Sequence, residues 1–482
     1  MGRKSLVKNS IYNIFYKIVS VLYPLVAVTY VSHILEAQRM GMVSYAQNIV
    51  SYFVVFAALG IPTYGIRETA KRLNDRQEYS NLFFELILIN TASTTIALAA
   101  YGALILKVDL FRKNLYLYVI AGLQIALNYA NVDWFYQGLE EYKYISIRSI
   151  IVKLCSLIAL PLLIHSKDDY INYALIFCLA IAGNNIFNIL HIRKYIVKPS
   201  VKIHISKHLK PIFTLLIVSI AVEIYSMIDT TMLGVICGDT AVGCYSNAMK
   251  LTRMVNTTTA AIGAVLFPRL SFVYEKGKMQ EFNDLVNKGI KVMLVFAIPA
   301  SVGLIVLGEE IVRVLFGYTF MEAVPTLRVL ALMVPVVVCN TIMGGQVLVT
   351  SNMERRYVLT VCIASCVNIV LNLMLIPKYG MRGAALASLV SECLDLILYA
   401  YFSHEIVRLT FTQSDCISTI IPIGLYIIIA RNIIENIPND IVKIMLNIIV
   451  CFIIYFGVGL LLKNSAMIFM ANKVNDMRKR SL

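Results

Sequence analysis

Residues 441–462 read IVKIMLNIIVCFIIYFGVGLLL, an apolar run with one charged side chain, Lys443. The hydrocarbon core of a bilayer is about 30 Å thick and a helix crosses it in about 20 residues, so this run is long enough to span. Lipid offers its peptide groups no partner, so the run must bond to itself as a helix. Working outward, similar runs lie near residues 11–35, 44–66, 82–106, 115–138, 144–164, 170–190, 211–236, 241–267, 289–308, 325–350, 357–376, 383–403 and 414–430. The fold class expected is therefore all-α, a polytopic membrane protein of about 14 transmembrane helices. The first run is too long for a signal-peptide core and has no small-residue cleavage site at its end, so it reads as a retained span.

Composition agrees. Hydrophobic side chains make up 59% of the 482 residues and charged ones 15%, with a mean hydropathy of +0.75, whereas a soluble domain is about a quarter charged. The net charge of +15 is distributed with the loops. Arg3, Lys4 and Lys8, then Arg67 to Arg76, Lys143, Arg193 to Lys210, Arg269 to Lys288, Arg355 and Arg356, Arg408 and the tail from Lys463 to Arg480 all fall on one side if the N-terminus is inside. Both termini are then expected to be cytoplasmic, and the basic excess reads as topology with some attraction to anionic headgroups. It does not read as a nucleic-acid surface. The ten cysteines lie nearly all in apolar runs without metal-ligand spacing, although Cys237 and Cys244 flank one short turn where a disulfide is possible.

One internal repeat is visible. Gly41, Ser44, Ala46 and Arg67 recur 202 residues later as Gly243, Ser246, Ala248 and Arg269. Transporters are commonly built from related halves with a path between them. The repeat predicts an N-terminal six-helix lobe over 1–195, a basic cytoplasmic linker over 196–210, a second six-helix lobe over 211–405, and two extra helices with a basic tail over 406–482.

Ionisable and amide side chains inside a span cost free energy unless they face a cavity or a partner, so each is a candidate for function. Asn9, Asn13, Lys17 and Ser20 share a face of the first run; Gln124, Asn128 and Asn131 recur in the fourth, followed by Asp133, Trp134 and Phe135. Arg148 and Lys153 lie in the fifth, Asn184, Asn185 and Asn188 in the sixth, and Ser365, Asn368 and Asn372 in the eleventh. Such faces in both halves predict a wet central cavity.

The seventh and eighth runs are the richest. Ser219, Glu223, Ser226 and Thr230 line one face of the first, and Ser246, Lys250, Arg253 and Thr257 one face of the second. Folding back near Asp239 would set Asp229 level with Lys250 and Glu223 near Arg253. Two readings stay open: the acids and bases neutralise one another as pairs, or Lys250 and Arg253 face an anionic substrate while Glu223 or Asp229 binds a coupling proton or sodium ion. His204 and His208 have metal-compatible spacing but no third ligand, so no metal site is expected. Glu309 to Thr319 is too short to span and reads as an interfacial helix.

At this point the chain resembles a known family, the polysaccharide repeat-unit flippases of the polysaccharide transporter group, in the superfamily that also holds multidrug and toxin extrusion transporters. The resemblance rests on GMVSYA from Gly41 to Ala46, Leu59, Gly60, Tyr64, Gly65 and Arg67, and WFYQG from Trp134 to Gly138. In the second half it rests on DTTMLG from Asp229 to Gly234, VGCYSNAMK from Val242 to Lys250, Pro268 and Arg269, Ile298 and Pro299, Phe316 and Gly317, Glu354 and Arg355, Asn368 and Asn372, then Pro377, Tyr379, Gly380 and GAALAS from Gly383 to Ser388. It implies two lobes rocking in alternating access, which turn an undecaprenyl-pyrophosphate-linked oligosaccharide (an O-antigen or capsule repeat unit) from the cytoplasmic to the outer leaflet of a bacterial inner membrane. It also implies a cationic cavity, met here by Lys17, Arg148, Lys153, Lys250 and Arg253 with the amides Asn128 and Asn368, and ion-coupled return. Membrane lipids and a polysaccharide assembly machinery are the implied partners.

No phosphate-binding GxxxxGK[ST] loop is present, so no nucleotide or other cofactor is expected. A multidrug efflux antiporter of the same superfamily is the first rival, disfavoured because a basic cavity repels cationic drugs. A membrane polymerase or acyltransferase is the second, disfavoured because the outer loops are short and hold no convergent acid, base or nucleophile.

Overall fold

Helices are the regular structure of a chain whose peptide groups must pair within each segment, and among the described residues no strand occurs. The computed structural model describes residues 6–199, 204–430 and 437–481, with side chains at all of these except 6–18, 21, 218, 221, 262, 264, 265 and 474–481. In order the helices are α1 (Leu6–Ala58), α2 (Ile61–Lys71), α3 (Arg76–Lys107), α4 (Asp109–Arg112), α5 (Leu115–Leu127), α6 (Asp133–Gly138), α7 (Tyr142–Leu163), α8 (Tyr170–Ala182), α9 (Asn184–Ile192) and α10 (Ser206–Ile236). Then follow α11 (Asp239–Glu275), α12 (Met279–Val306), α13 (Gly308–Phe316), α14 (Val324–Ile342), α15 (Glu354–Tyr379), α16 (Met381–Ser403), α17 (Gln413–Ile429), α18 (Asp440–Leu461) and α19 (Ser465–Ser481).

Among the described residues nine helices are long and apolar enough to cross a membrane, or ten if the bent pair Ser206–Ile217 and Val222–Ile236 is one span. The sequence runs do not map one to one onto these helices, and the reasons are physical. Two runs merge in the 50-residue stretch Leu22–Lys71, about 75 Å long at 1.5 Å per residue and so more than two bilayer cores. It is broken at Glu36, whose φ of 59° is not helical. Leu115–Ala130 and Gln413–Ile429 are apolar but shorter, and α11, with Lys250 and Arg253 on it, is not among the nine.

By internal contacts the chain divides into two compact units, Met1–Gly243 and Cys244–Leu482. In the first, α1 packs against α3, α5, α7, α8 and α10. An aromatic core of Tyr64, Tyr79, Phe83, Trp134, Phe135, Tyr136 and Tyr195 joins α2, α3 and α6 to the segment after α9. Two motifs of the sequence meet there: a Cβ on Gly65 would lie 2.4 Å from the Trp134 ring, so only glycine lets α2 approach α6 this closely.

The described residues of the basic segment bond to α3. Arg76 donates to the carbonyls of Tyr195 at 3.0 Å and Lys194 at 2.8 Å, Gln77 to that of Lys198 at 2.9 Å, and the Val197 amide to Ser80 at 3.1 Å. Glu85 then accepts from the His204 amide at 2.9 Å, Lys207 Nζ at 2.9 Å and His208 Nε2 at 2.8 Å. Both ring nitrogens of His208 are occupied, because the Tyr64 hydroxyl lies 2.7 Å from Nδ1.

In the second unit α14 packs on α12 and α16, and α15 on α16, around Phe282, Met293, Val334, Val338 and Tyr399. The segment expected to be interfacial contains α13 from Glu309 on. Its Glu310 pairs with Lys443 at 2.5 Å and its Arg313 with Asp440 at 3.4 Å, which fixes the start of α18. Asp415 ties α17 to α12 through Lys291 at 2.8 Å and to α19 through the Ser465 hydroxyl at 2.6 Å. All ten cysteines are free, Cys237 and Cys244 included.

Candidate functional site

The polar residues singled out in the sequence separate into two groups. The first is bonded to side chains of its own unit. Asn128, buried where α5 ends in a short 3-10 turn, donates to Asn90 Oδ1 at 3.0 Å and Thr94 Oγ1 at 2.9 Å, accepts from Asn131 at 3.0 Å, and its carbonyl accepts from Asn90 at 2.8 Å. Arg148, at 6% exposure, is held on α7 by Asp133 of α6, Nη2 lying 2.9 and 3.1 Å from the two carboxylate oxygens. Its Nη1 donates to Asn188 of α9, Asn188 in turn donates to Asp133 at 2.8 Å, and the guanidinium lies over the Tyr144 ring at 5.2 Å. Asn368, at 1% exposure, accepts from Asn372 at 3.0 Å within α15. In lipid such bonds between side chains act as glue. Each of these three is thus bonded to another side chain of its own unit.

The second group lies on α1, α7, α10 and α11. Lys153 of α7 is half-buried and donates to Ser20 Oγ of α1 at 2.6 Å. Further along α1, Asn48 and Tyr52 bond Thr231 of α10 at 2.6 and 2.9 Å, two residues beyond buried Asp229. Glu223 is half-buried on the same helix. In the second unit Lys250 is half-buried and donates to Asn247 Oδ1 at 3.0 Å, a neutral amide, and Arg253 is exposed one turn on. Among the described residues Lys250 makes no salt bridge. The Lys17 side chain lies outside the described residues.

Four further acids escaped the sequence reading. Glu392 of α16 accepts from Asn340 of α14 at 2.7 Å, Asp395 is buried on the same helix, and Glu68 and Glu85 are buried at the basic end of the first unit. The signal was present, since SECLDL from Ser391 to Leu396 places two carboxylates inside an apolar run.

Comparisons with known proteins agree with this architecture. The model of the family described as "Polysaccharide biosynthesis protein" matches residues 6–273, and that of MatE matches 214–374. The chain is similar to the probable low-salt glycan biosynthesis flippase Agl15 of Haloferax volcanii, 27% identical over 41% of this chain and 42% of that one. It is also similar to the putative O-antigen transporter of Escherichia coli K12, 22% identical over 83% of this chain and 97% of that one. Among solved structures it resembles a lipid II flippase, MurJ, in an inward closed conformation, with a TM-score of 0.73 at 16% identity over 97% of this chain and all of that one.

Proposed function

The chain belongs to the polysaccharide biosynthesis protein family, and from that premise we propose that it is a flippase for a lipid-linked oligosaccharide. The cargo is an undecaprenyl-pyrophosphate-linked repeat unit, carried from the cytoplasmic to the outer leaflet by alternating access. A pyrophosphate with attached sugars cannot cross hydrocarbon unaided, so a hydrated, basic site must hold the head group while the prenyl tail stays in lipid.

The observation that carries this reading is Lys250. A half-buried ammonium in a segment proposed to span, with a neutral amide as its partner, bears a desolvation cost that an anionic ligand would offset. Lys153, hydrogen-bonded to a serine, and Arg253 are the proposed companions, with Lys17 a further candidate. Glu223 and Asp229 are the proposed sites of a coupling proton or sodium ion. Arg148, Asn128 and Asn368 are assigned to shaping the helices around the cargo, since each bonds to a side chain of its own unit.

The finer topology belongs to the same proposal: fourteen spans as two six-helix lobes and two extra helices, both termini in the cytoplasm, in a bacterial inner membrane. Docking of 193–199 on Arg76 and Gln77 supports it, because two basic loops assigned to one side meet at one end of the first unit.

The MatE match over 214–374 favours a second reading, efflux of organic cations. Deleting the gene and weighing the lipid-linked oligosaccharides of the inner leaflet separates the two. Accumulation of a repeat-unit intermediate, relieved by the wild-type gene and not by Lys250→Ala, is the expected result. No accumulation, with resistance to cationic dyes gained on expression, would overturn it.

A further inference from the structure

In the first unit, α7 and α9 leave a groove of about 660 Å³ between them. Its wall is apolar and turned outward: Ile147 is 42% exposed, Ile151 52%, Phe187 48% and Leu190 72%. Its floor is aromatic, with the Tyr144 ring stacked on His191 at 4.0 Å. Its mouth is basic, because Lys143 and Lys194 both line it and both are exposed. Arg148 closes the inner end, its Nε without a hydrogen-bond partner among the described residues.

Glu141 is the acid of this mouth, and it is engaged by the hydroxyl of buried Tyr195, whose pKa is raised by burial and by that carboxylate. Arg148 is balanced by Asp133. The two lysines against one carboxylate leave the mouth net positive. From Lys143 to Ile151 the groove runs along two turns of α7, about 12 Å, which matches a glycerol backbone with the first half of an acyl chain.

We propose that this groove binds one anionic phospholipid of the leaflet facing the basic loops, its phosphate between Lys143 and Lys194 and an acyl chain along Ile147, Ile151, Phe187 and Leu190. A zwitterionic headgroup brings its own cation to the two lysines and is disfavoured; a phosphatidylglycerol does not. None of Lys153, Lys250 and Arg253 lines this groove, and the proposal does not depend on the identity of the cargo.

Native mass spectrometry of the full chain, purified and equilibrated with equal phosphatidylglycerol and phosphatidylcholine, tests it. We expect at least one phosphatidylglycerol retained in preference to phosphatidylcholine, and roughly a tenfold loss of that preference in Lys143→Gln/Lys194→Gln, with an unchanged melting temperature because both side chains are exposed. Filling the wall with Ile151→Trp should remove the retained lipid while leaving the protein folded. Equal retention of the two lipids by wild type, retention by the double variant as in wild type, or release of phosphatidylglycerol by millimolar inorganic phosphate would each overturn the proposal.

Discussion

Gly41 and Gly243, the first residues of the two copies of the sequence repeat, lie backbone to backbone within the first unit. A Cβ on Gly41 would sit 1.7 Å from the Asp239 carbonyl oxygen and 2.9 Å from the Gly243 nitrogen, and one on Gly243 would sit 2.1 Å from the Ala37 carbonyl oxygen. These are backbone atoms, which cannot rotate away as a side chain can. Gly41→Ala or Gly243→Ala therefore has to push two helices apart, at about 1–3 kcal/mol or more. A methyl group added at Gly102 or Gly303 would meet nothing within 4 Å, and alanine there should be neutral or slightly stabilising. Melting curves of the four variants in one detergent check this, and equal melting temperatures would refute the close crossing.

The Arg148 ion pair makes an opposite kind of prediction. Asp133→Asn leaves a guanidinium at 5% side-chain exposure without its counter-charge, which costs about 3 kcal/mol. The double variant Asp133→Asn/Arg148→Gln removes both charges and should recover most of the loss. Denaturation of the single and double variants measures the difference. If Asp133→Asn instead melted as wild type while transport was lost, Arg148 would return to the list of cargo-binding residues.

Glu85 tests the docked basic segment. It is 4% exposed and accepts hydrogen bonds from His204, Lys207 and His208, so Glu85→Ala strands His208 and the His204 amide at about 1–3 kcal/mol. The readout is the initial rate of tryptic cleavage after Lys207, expected to rise about tenfold as the anchor opens. Cleavage at the wild-type rate would show that Arg76 and Gln77 hold the segment unaided.

The helical fold is legible in the sequence because lipid enforces it: an apolar run such as 441–462 has no other way to satisfy its peptide groups. Helix ends are less legible, since Glu36, Gly183 and the 3-10 turn at Asn128 are breaks that a smooth hydropathy pattern does not register. At the site, the sequence marks polar residues inside apolar runs and cannot tell glue from ligand. Arg148 and Lys153 look alike five residues apart in the sequence, yet one meets a carboxylate from α6 and the other a serine from α1. That difference is tertiary, set by which helix each side chain finds.

Lys250 gives the most discriminating measurement, because stability and function should move apart there. Its hydrogen bond goes to neutral Asn247, so Lys250→Met removes a partly desolvated charge and leaves behind no orphaned carboxylate, in contrast to the loss of either partner at Arg148. The variant is expected to melt at or above the wild-type temperature, by up to about 1 kcal/mol, while repeat-unit transport falls to background. Lys250→Arg, which keeps the charge but not the compact ammonium, should retain part of the activity. Thermal stability and export of labelled polysaccharide from one set of membranes give both numbers. A variant that unfolds together with losing transport would place Lys250 among the structural residues and remove the central support for a cationic cargo site.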